Sequence, residues 1–316
     1  MKYIFGPVPS RRLGRSLGVD PTARPGSDKA CNWNCVYCQL GSTHHLMAER
    51  QRFFQPEVLL DELRKTLDEL ADGVDWVTFV GSGEPTLNSD LGIMLRGIKA
   101  MTRLPVAVIT NGSTLSLPEV RADLAVADAV MPTLDAGNEL TYLKINRPHH
   151  QYTFQRHIEG LVAFRQEYRG KLWLETMLVA GLNDDESSLE QLAAVVQGIV
   201  PDELHLVLPT RPPTEQWVLP TDAEGLLRAM AILGRVTKVV HPDEAYGDFS
   251  LGADTDPFEA AARTLARHPM SDEELRRALD LRGVQDADAV LQALTRTGRA
   301  HVIQRYGRTF WQGSLS

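Results

Sequence analysis

The sequence predicts an α/β protein built from βα units around a mostly parallel sheet, followed by a small carboxyl-terminal module of different character. Three observations carry this. Short apolar runs of strand type alternate with amphipathic helical stretches from about residue 56 to residue 240. The breaks rich in glycine and polar residues fall after those runs, at the carboxyl ends of strands, where such sheets bind ligands. From about residue 257 the pattern changes to helix, helix, strand, turn, strand.

The first segment, Phe5-Gly-Pro-Val-Pro-Ser-Arg-Arg-Leu-Gly-Arg-Ser-Leu-Gly-Val-Asp20, lacks helix signals, and its glycines and prolines argue for turns and extended chain. Arg11, Arg12 and Arg15 make it a basic patch, expected near the opening of the site because it precedes the cysteine loop. Pro56 opens a helix at its favoured first position, with Leu59, Leu63, Leu67 and Leu70 along one face. Asp75–Val80 is a buried strand running into Gly81-Ser-Gly-Glu-Pro85, and a helix follows to about Met101. Pro105–Ile109 is the next strand and ends in Thr110-Asn-Gly112. Asp128–Leu134 is another, ending at Asp135.

A helix from about Tyr152, a strand over Lys171–Val179 and a helix bearing Leu189, Leu192 and Val196 come next. Then follow a strand over Glu203–Leu208, a helix over about Ala223–Leu233 and a strand at Val236–Val240. Five or six such units fall short of a closed eight-fold barrel. In the last segment Ser271-Asp-Glu-Glu274 is a capping box, Asp286 caps a second helix, and Ala300–Gln304 and Thr309–Trp311 flank a turn. This is the outline of a winged-helix-like module, and it predicts domains over 1–250 and 257–316. Arg296, Arg299, Arg305 and Arg308 give it a second basic patch that could meet phosphates.

The chain has 316 residues, 43% of them apolar and 23% charged, as in ordinary globular proteins. A net charge of −8 gives no whole-chain attraction to nucleic acid or anionic membranes. There is no signal-peptide h-region, and no run approaches the ~18 apolar residues of a membrane span. A cytoplasmic protein without a membrane partner is expected, in a compartment that keeps thiols reduced.

Those thiols are concentrated. All three cysteines lie in Cys31-Asn-Trp-Asn-Cys35-Val-Tyr-Cys38, spaced C-x3-C-x2-C. An odd, tightly packed set cannot pair off as a disulfide framework. A Cys3His zinc site with His44 or His45 is a second reading, although structural zinc ligands usually come as two separated pairs. The third is an iron–sulfur cluster with one iron left open, since cubane clusters normally take four cysteines.

The C-x3-C-x2-C spacing with aromatic Tyr37 before the last cysteine resembles the signature of the radical S-adenosylmethionine (radical SAM) superfamily. The resemblance implies a partial (β/α)6-type barrel and a [4Fe-4S] cluster on Cys31, Cys35 and Cys38, whose open iron is chelated by SAM. It also implies cleavage of SAM to methionine and a 5′-deoxyadenosyl radical, with an electron from a donor such as flavodoxin or ferredoxin. The segment from Phe5 to Asp20, with the cysteine loop and Gln39-Leu-Gly41, is similar to the branch grouped with tRNA wyosine-base (imidazoguanosine) synthases. That branch implies a tRNA or other RNA substrate.

By the same resemblance, Gly81, Ser82, Gly83 and Glu84 match the superfamily's G-G-E-P loop that binds the methionyl ammonium, with serine in place of the second glycine. Tyr37 is expected near the adenine, and Asn111 and Asp135 near the ribose or methionyl group. Glu175, an acid in the apolar run Leu172–Leu178, must face the interior or be paired, because burying it alone is costly. Lys144, on an expected loop near the mouth with Arg147, His149 and His150, is a candidate catalytic lysine, since wyosine synthases are thought to use a lysine with pyruvate. The chain departs from those synthases in having no cysteines for an auxiliary cluster. Two other readings stand beside an RNA-modifying enzyme. One is radical activation of a protein target, because Gly181-Leu-Asn-Asp184 resembles a turn of activases. The other is a metal-bearing, nucleic-acid-binding regulator.

Overall fold

The turns and extended chain expected of the amino-terminal segment take the form of a hairpin. The computed structural model describes residues 2–24, 29–70, 73–234, 236–240, 249–251 and 256–314. In it β1 (Ile4–Ser10) pairs antiparallel with β2 (Gly14–Val19). Pro7 and Pro9 are tolerated because β1 is the edge strand, where a missing N–H breaks no ladder.

From β2 onward every neighbour is parallel. After α1 (Pro56–Leu70) come β3 (Trp76–Phe79), α2 (Leu91–Met101), β4 (Val106–Thr110) and α3 (Pro118–Leu124). Next are β5 (Ala129–Pro132), α4 (Glu139–Asn146), α5 (Phe154–Glu167), β6 (Lys171–Met177) and α6 (Glu186–Ile199). β7 (Glu203–Val207), α7 (Ala223–Leu233) and β8 (Thr237–Val239) complete the sheet. Its eight strands lie in sequence order, as βα units adding one strand at a time require.

The strand period of two divides the sheet into faces. Leu17, Val77, Val108, Val130, Leu174 and Leu206 point out to the helices and share one core with Leu59, Leu63, Leu95 and Phe164. Ala107, Ala129, Met131 and Trp173 point inward around Leu13, from the β1–β2 turn, which fills the amino end of the lumen. That turn corrects one expectation. Arg15 lies at the amino ends of β2 and β3, paired with Asp75 at 2.9 Å, and Arg12 turns into the lumen. These two arginines do not line the opening.

The carboxyl-terminal segment comprises α8 (Pro257–Arg267), β9 (Met270–Ser271), α9 (Asp272–Leu281), α10 (Ala287–Arg296), β10 (Ala300–Arg305) and β11 (Arg308–Gly313). β9 pairs onto β11 to make a three-stranded antiparallel sheet. The Ser271–Glu274 capping box and the Asp286 cap are both present. This module packs on the barrel mouth. Arg267 reaches buried Asp20 after β2 at 2.7 Å, Arg211 pairs with Glu274 at 3.1 Å, and Gln312 Nε2 donates to Gln39 O at 2.7 Å. Two of its four basic-patch residues are engaged internally. Arg299 pairs with Glu259, and Arg305 donates to Val218 O of the barrel. Among the described residues no helix is long and apolar enough to cross a membrane.

Candidate active site

The cysteine loop crosses the carboxyl end of the sheet and is held there by its non-cysteine residues. Val36 is buried, and its N–H donates to Ile145 O of α4 at 2.9 Å. Trp33 is buried edge-on against Tyr142 and His157, each at 5.3 Å between ring centroids. Asn32 Nδ2 donates to Ser113 Oγ at 2.7 Å, just past β4. Three separate elements thus fix one short loop.

The loop turns its three sulfurs toward N–H donors from different parts of the chain. Trp33 N approaches Cys31 Sγ at 3.4 Å and Asn111 Nδ2 at 3.9 Å. Asn146 Nδ2 lies 3.7 Å from Cys35 Sγ, and Lys29 Nζ 3.2 Å from Cys38 Sγ. Hydrogen bonds to each sulfur are the surroundings that cluster thiolates take. Burial pushes the Cys31 thiol up to about 11 and raises that of Cys35 well above its ordinary value, while the Lys29 ammonium pulls both down. All three cysteines are free of disulfides. His44 and His45 are exposed, and among the described residues no three His, Cys, Asp or Glu side chains converge as ligands of a single ion would. The donor set fits a polynuclear cluster spread over three thiolates.

Gly81-Ser-Gly-Glu84 lies against this loop. A Cβ on Gly83 would stand 2.1 Å from Ala30 O, and Glu84 N donates to the same carbonyl at 2.8 Å. A Cβ on Gly81 would stand 2.1 Å from Asp20 Cγ. Close approach, not a positive φ, therefore demands these glycines. Ser82 is accommodated because its hydroxyl and N–H both donate to Asp20, at 2.7 and 3.1 Å.

Glu84 is buried and accepts from Thr86 N and Oγ1, Thr110 Oγ1 and Asn111 N, at 2.6–3.0 Å. Burial raises its pKa, opposed by these bonds. It ties the end of β3 to the end of β4 and sets Asn111, whose Nδ2 bonds Asn32 Oδ1 at 2.7 Å beside Cys31. Asp135, after β5, accepts from Tyr37 OH, Asn146 Nδ2 and Met177 N, and burial pushes its carboxyl up to about 6. Asn183 supports it, donating to Asp135 O at 2.9 Å, while the cap of α6 is Asp185. Glu175 faces the lumen, paired with Arg12.

Lys144 is not brought to this cluster. The expected loop is α4, capped by Asn138, and Lys144 stands on its exposed face beside Leu143 while Tyr142, Ile145 and Asn146 face inward. Apolar residues on both faces of so short a helix left no stripe to read. Arg147 is paired with Glu215. Three other residues belong to the site. Lys29 is 3% exposed and donates to Cys38 Sγ and Gly41 O. Asp20 orders Ser82, and Asn146 links Asp135 to Cys35. None of the three stood out in the sequence, Lys29 included, although it lies two residues before Cys31.

A family model described as the Radical SAM superfamily matches residues 29–193. A UPF0026 protein of Methanocaldococcus jannaschii is 30% identical over 319 residues, covering 100% of this chain and 97% of that protein. A protein named dual-specificity RNA methyltransferase RlmN, from Sorangium cellulosum, is 29% identical over 190 residues, 56% of this chain and 46% of that one. Among solved structures, a radical SAM methyltransferase from Sphaerobacter thermophilus superposes with a TM-score of 0.55 at 18% identity. It covers 74% of this chain and 70% of that one, a likeness of fold. Relatives differ in how much of their own length this chain spans, from 30% to 97%. With a family match over half of its length and the three-cysteine loop set at the sheet's carboxyl end, this chain belongs to the radical SAM enzyme superfamily, whose members use an iron–sulfur cluster and SAM.

Proposed function

We propose that Cys31, Cys35 and Cys38 hold a [4Fe-4S] cluster and that SAM lies on its open iron, along Gly81, Ser82, Gly83, Asn111 and Asp135. The observation that carries this reading is the set of N–H donors on all three sulfurs, within a loop that Gly83 allows against the end of β3. When bound, the cluster supplies one electron for reductive cleavage of SAM. The chain's own residues do the positioning. Glu84 holds the Asn111 backbone, Tyr37 and Asn146 hold Asp135, and an uncoupled electron donor of the flavodoxin or ferredoxin class meets the covered cysteine loop from outside. Arg12 and Glu175, paired inside the lumen, lie where a substrate would be met.

The substrate we favour is an RNA base, tRNA included, on the strength of the similarity to the RNA methyltransferase and of Arg296 and Arg308, which remain exposed on the terminal module. This reading divides the chain into a barrel domain over 1–250 and a winged-helix-like domain over 257–316. A protein target is the second reading, favoured by the engagement of Arg299 and Arg305 in internal contacts. Titration of the anaerobic holoprotein with bulk tRNA at low and moderate salt separates them. The RNA reading expects binding whose log affinity falls by about one per phosphate neutralised against log salt. Absence of binding at low salt would reject it. Reconstitution followed by iron, acid-labile sulfide and 5′-deoxyadenosine analysis tests the chemistry itself.

A further inference from the structure

Lys29 is a buried cation facing sulfur. Its side chain is 3% exposed, and its Nζ donates to Cys38 Sγ at 3.2 Å and to Gly41 O at 2.8 Å. Gly41 adopts a φ of 83°, a left-handed turn that aims its carbonyl back at the lysine. Neither acceptor is a carboxylate, and among the described residues no Asp or Glu forms an ion pair with it. A buried ammonium without a counter-charge is costly. The groups that surround it electrostatically are Cys38, Cys31 and Cys35. Lysine in this loop is therefore matched to a site in which the Cys38 sulfur carries negative charge.

We propose that Lys29 sets the reduction potential of the cluster. The inference rests on the cluster reading above. Reduction adds one electron from a low-potential one-electron donor, with no bond formed or broken, so the site gains one negative charge. A fixed positive charge bonded to one of the ligating sulfurs, out of water, stabilises the reduced state more than the oxidised one. Lys29 touches no reacting carbon and is a tuning residue, not a catalytic one. A lysine that served only to close the Cys38–Gly41 turn would be replaceable by a neutral hydrogen-bond donor without electrical consequence.

The test is a redox titration of the anaerobic holoprotein followed by electron paramagnetic resonance, for wild type, Lys29→Gln, Lys29→Met and Lys29→Arg, each with its iron and sulfide content. Loss of the charge in the Gln and Met variants is expected to make reduction at least tenfold less favourable, 59 mV or more for a one-electron couple. Lys29→Arg is expected to stay within threefold of wild type. Cluster-loaded Gln and Met variants with the wild-type potential would overturn the proposal. So would failure of both neutral variants to hold iron while Arg holds it, which would make the charge an assembly requirement. A wild type without iron would overturn it together with the cluster reading, and is distinguishable because it precedes any substitution.

Discussion

Tyr37 donates its hydroxyl proton to Asp135 Oδ2 at 2.6 Å, joining the cysteine loop to the carboxyl end of β5. The same oxygen accepts from Asn146 Nδ2 at 2.7 Å, and Asn146 also reaches Cys35. One buried carboxylate therefore holds the aromatic residue of the motif, helix α4 and the Cys35 sulfur in register.

Asp135→Asn puts an amide where two donors converge. It is expected to cost about 1–3 kcal/mol, the price of an unmet buried donor. Denaturant unfolding of the apoprotein measures the loss. A fall in SAM affinity larger than the fall in stability would mark the Tyr37 position as the sensitive element, and unchanged stability would remove Asp135 from this role.

Glu84→Ala leaves Thr86, Thr110 and the Asn111 N–H without their shared acceptor. About 3 kcal/mol or more of stability should be lost, since several buried donors go unmet at once. By its resemblance to the G-G-E-P loop Glu84 would serve SAM binding, and by its hydrogen bonds it also serves folding. The structure predicts that both fall, because Glu84 acts through the main chain of Asn111. A fully stable Glu84→Ala protein would contradict that.

Arg267→Ala leaves Asp20 buried with its charge unpaired at 0% exposure. Removing one partner of a buried pair typically costs about 3–5 kcal/mol. Because Asp20 also orders Ser82, the loss should spread to the Gly81–Glu84 loop. Limited proteolysis is expected to cut between barrel and terminal module sooner in this variant, and an unchanged cleavage rate would argue against the pair as the clamp.

What the sequence made legible was local. The cysteine spacing, the Gly81–Glu84 turn and the capping box each sit within a few residues, so their local geometry could be read directly. Arg12 and Glu175 are 163 positions apart, and no local pattern reports that they meet in the lumen. Lys29 looks like any loop lysine until Gly41 folds back over it. Lys144, Arg299 and Arg305 show the reverse, charges whose surroundings the sequence did not reveal. Charge in a sequence does not reveal which face it takes or which carboxylate or carbonyl consumes it, as Glu259 does for Arg299. The amino-terminal segment was read as turns and extended chain, but not its pairing into the sheet, which Pro7 and Pro9 permit because β1 is an edge.

His157 supplies a pH signature independent of the metal. It is buried behind Trp33 with Nε2 on Thr133 O at 3.1 Å, and burial lowers its pKa to about 4. The folded value lies below the unfolded one near 6.5, so the neutral ring's contribution is full above about 6.5 and is lost as pH falls toward 4. The span is of order 3 kcal/mol. Apoprotein stability measured between pH 7 and 4 should show this decline, and His157→Phe should flatten it. An equally steep decline in His157→Phe would assign it to other groups.

The most direct test of the central claim is 5′-deoxyadenosine formation by anaerobically reconstituted protein given SAM and dithionite, compared between wild type and Cys31→Ala, Cys35→Ala and Cys38→Ala. Wild type should hold about four irons per chain and release 5′-deoxyadenosine without any substrate, since cluster and cofactor suffice for cleavage. Each alanine variant should retain a folded barrel, lose the cluster and form none. Variants that kept their iron and cleaved SAM at the wild-type rate would contradict the account.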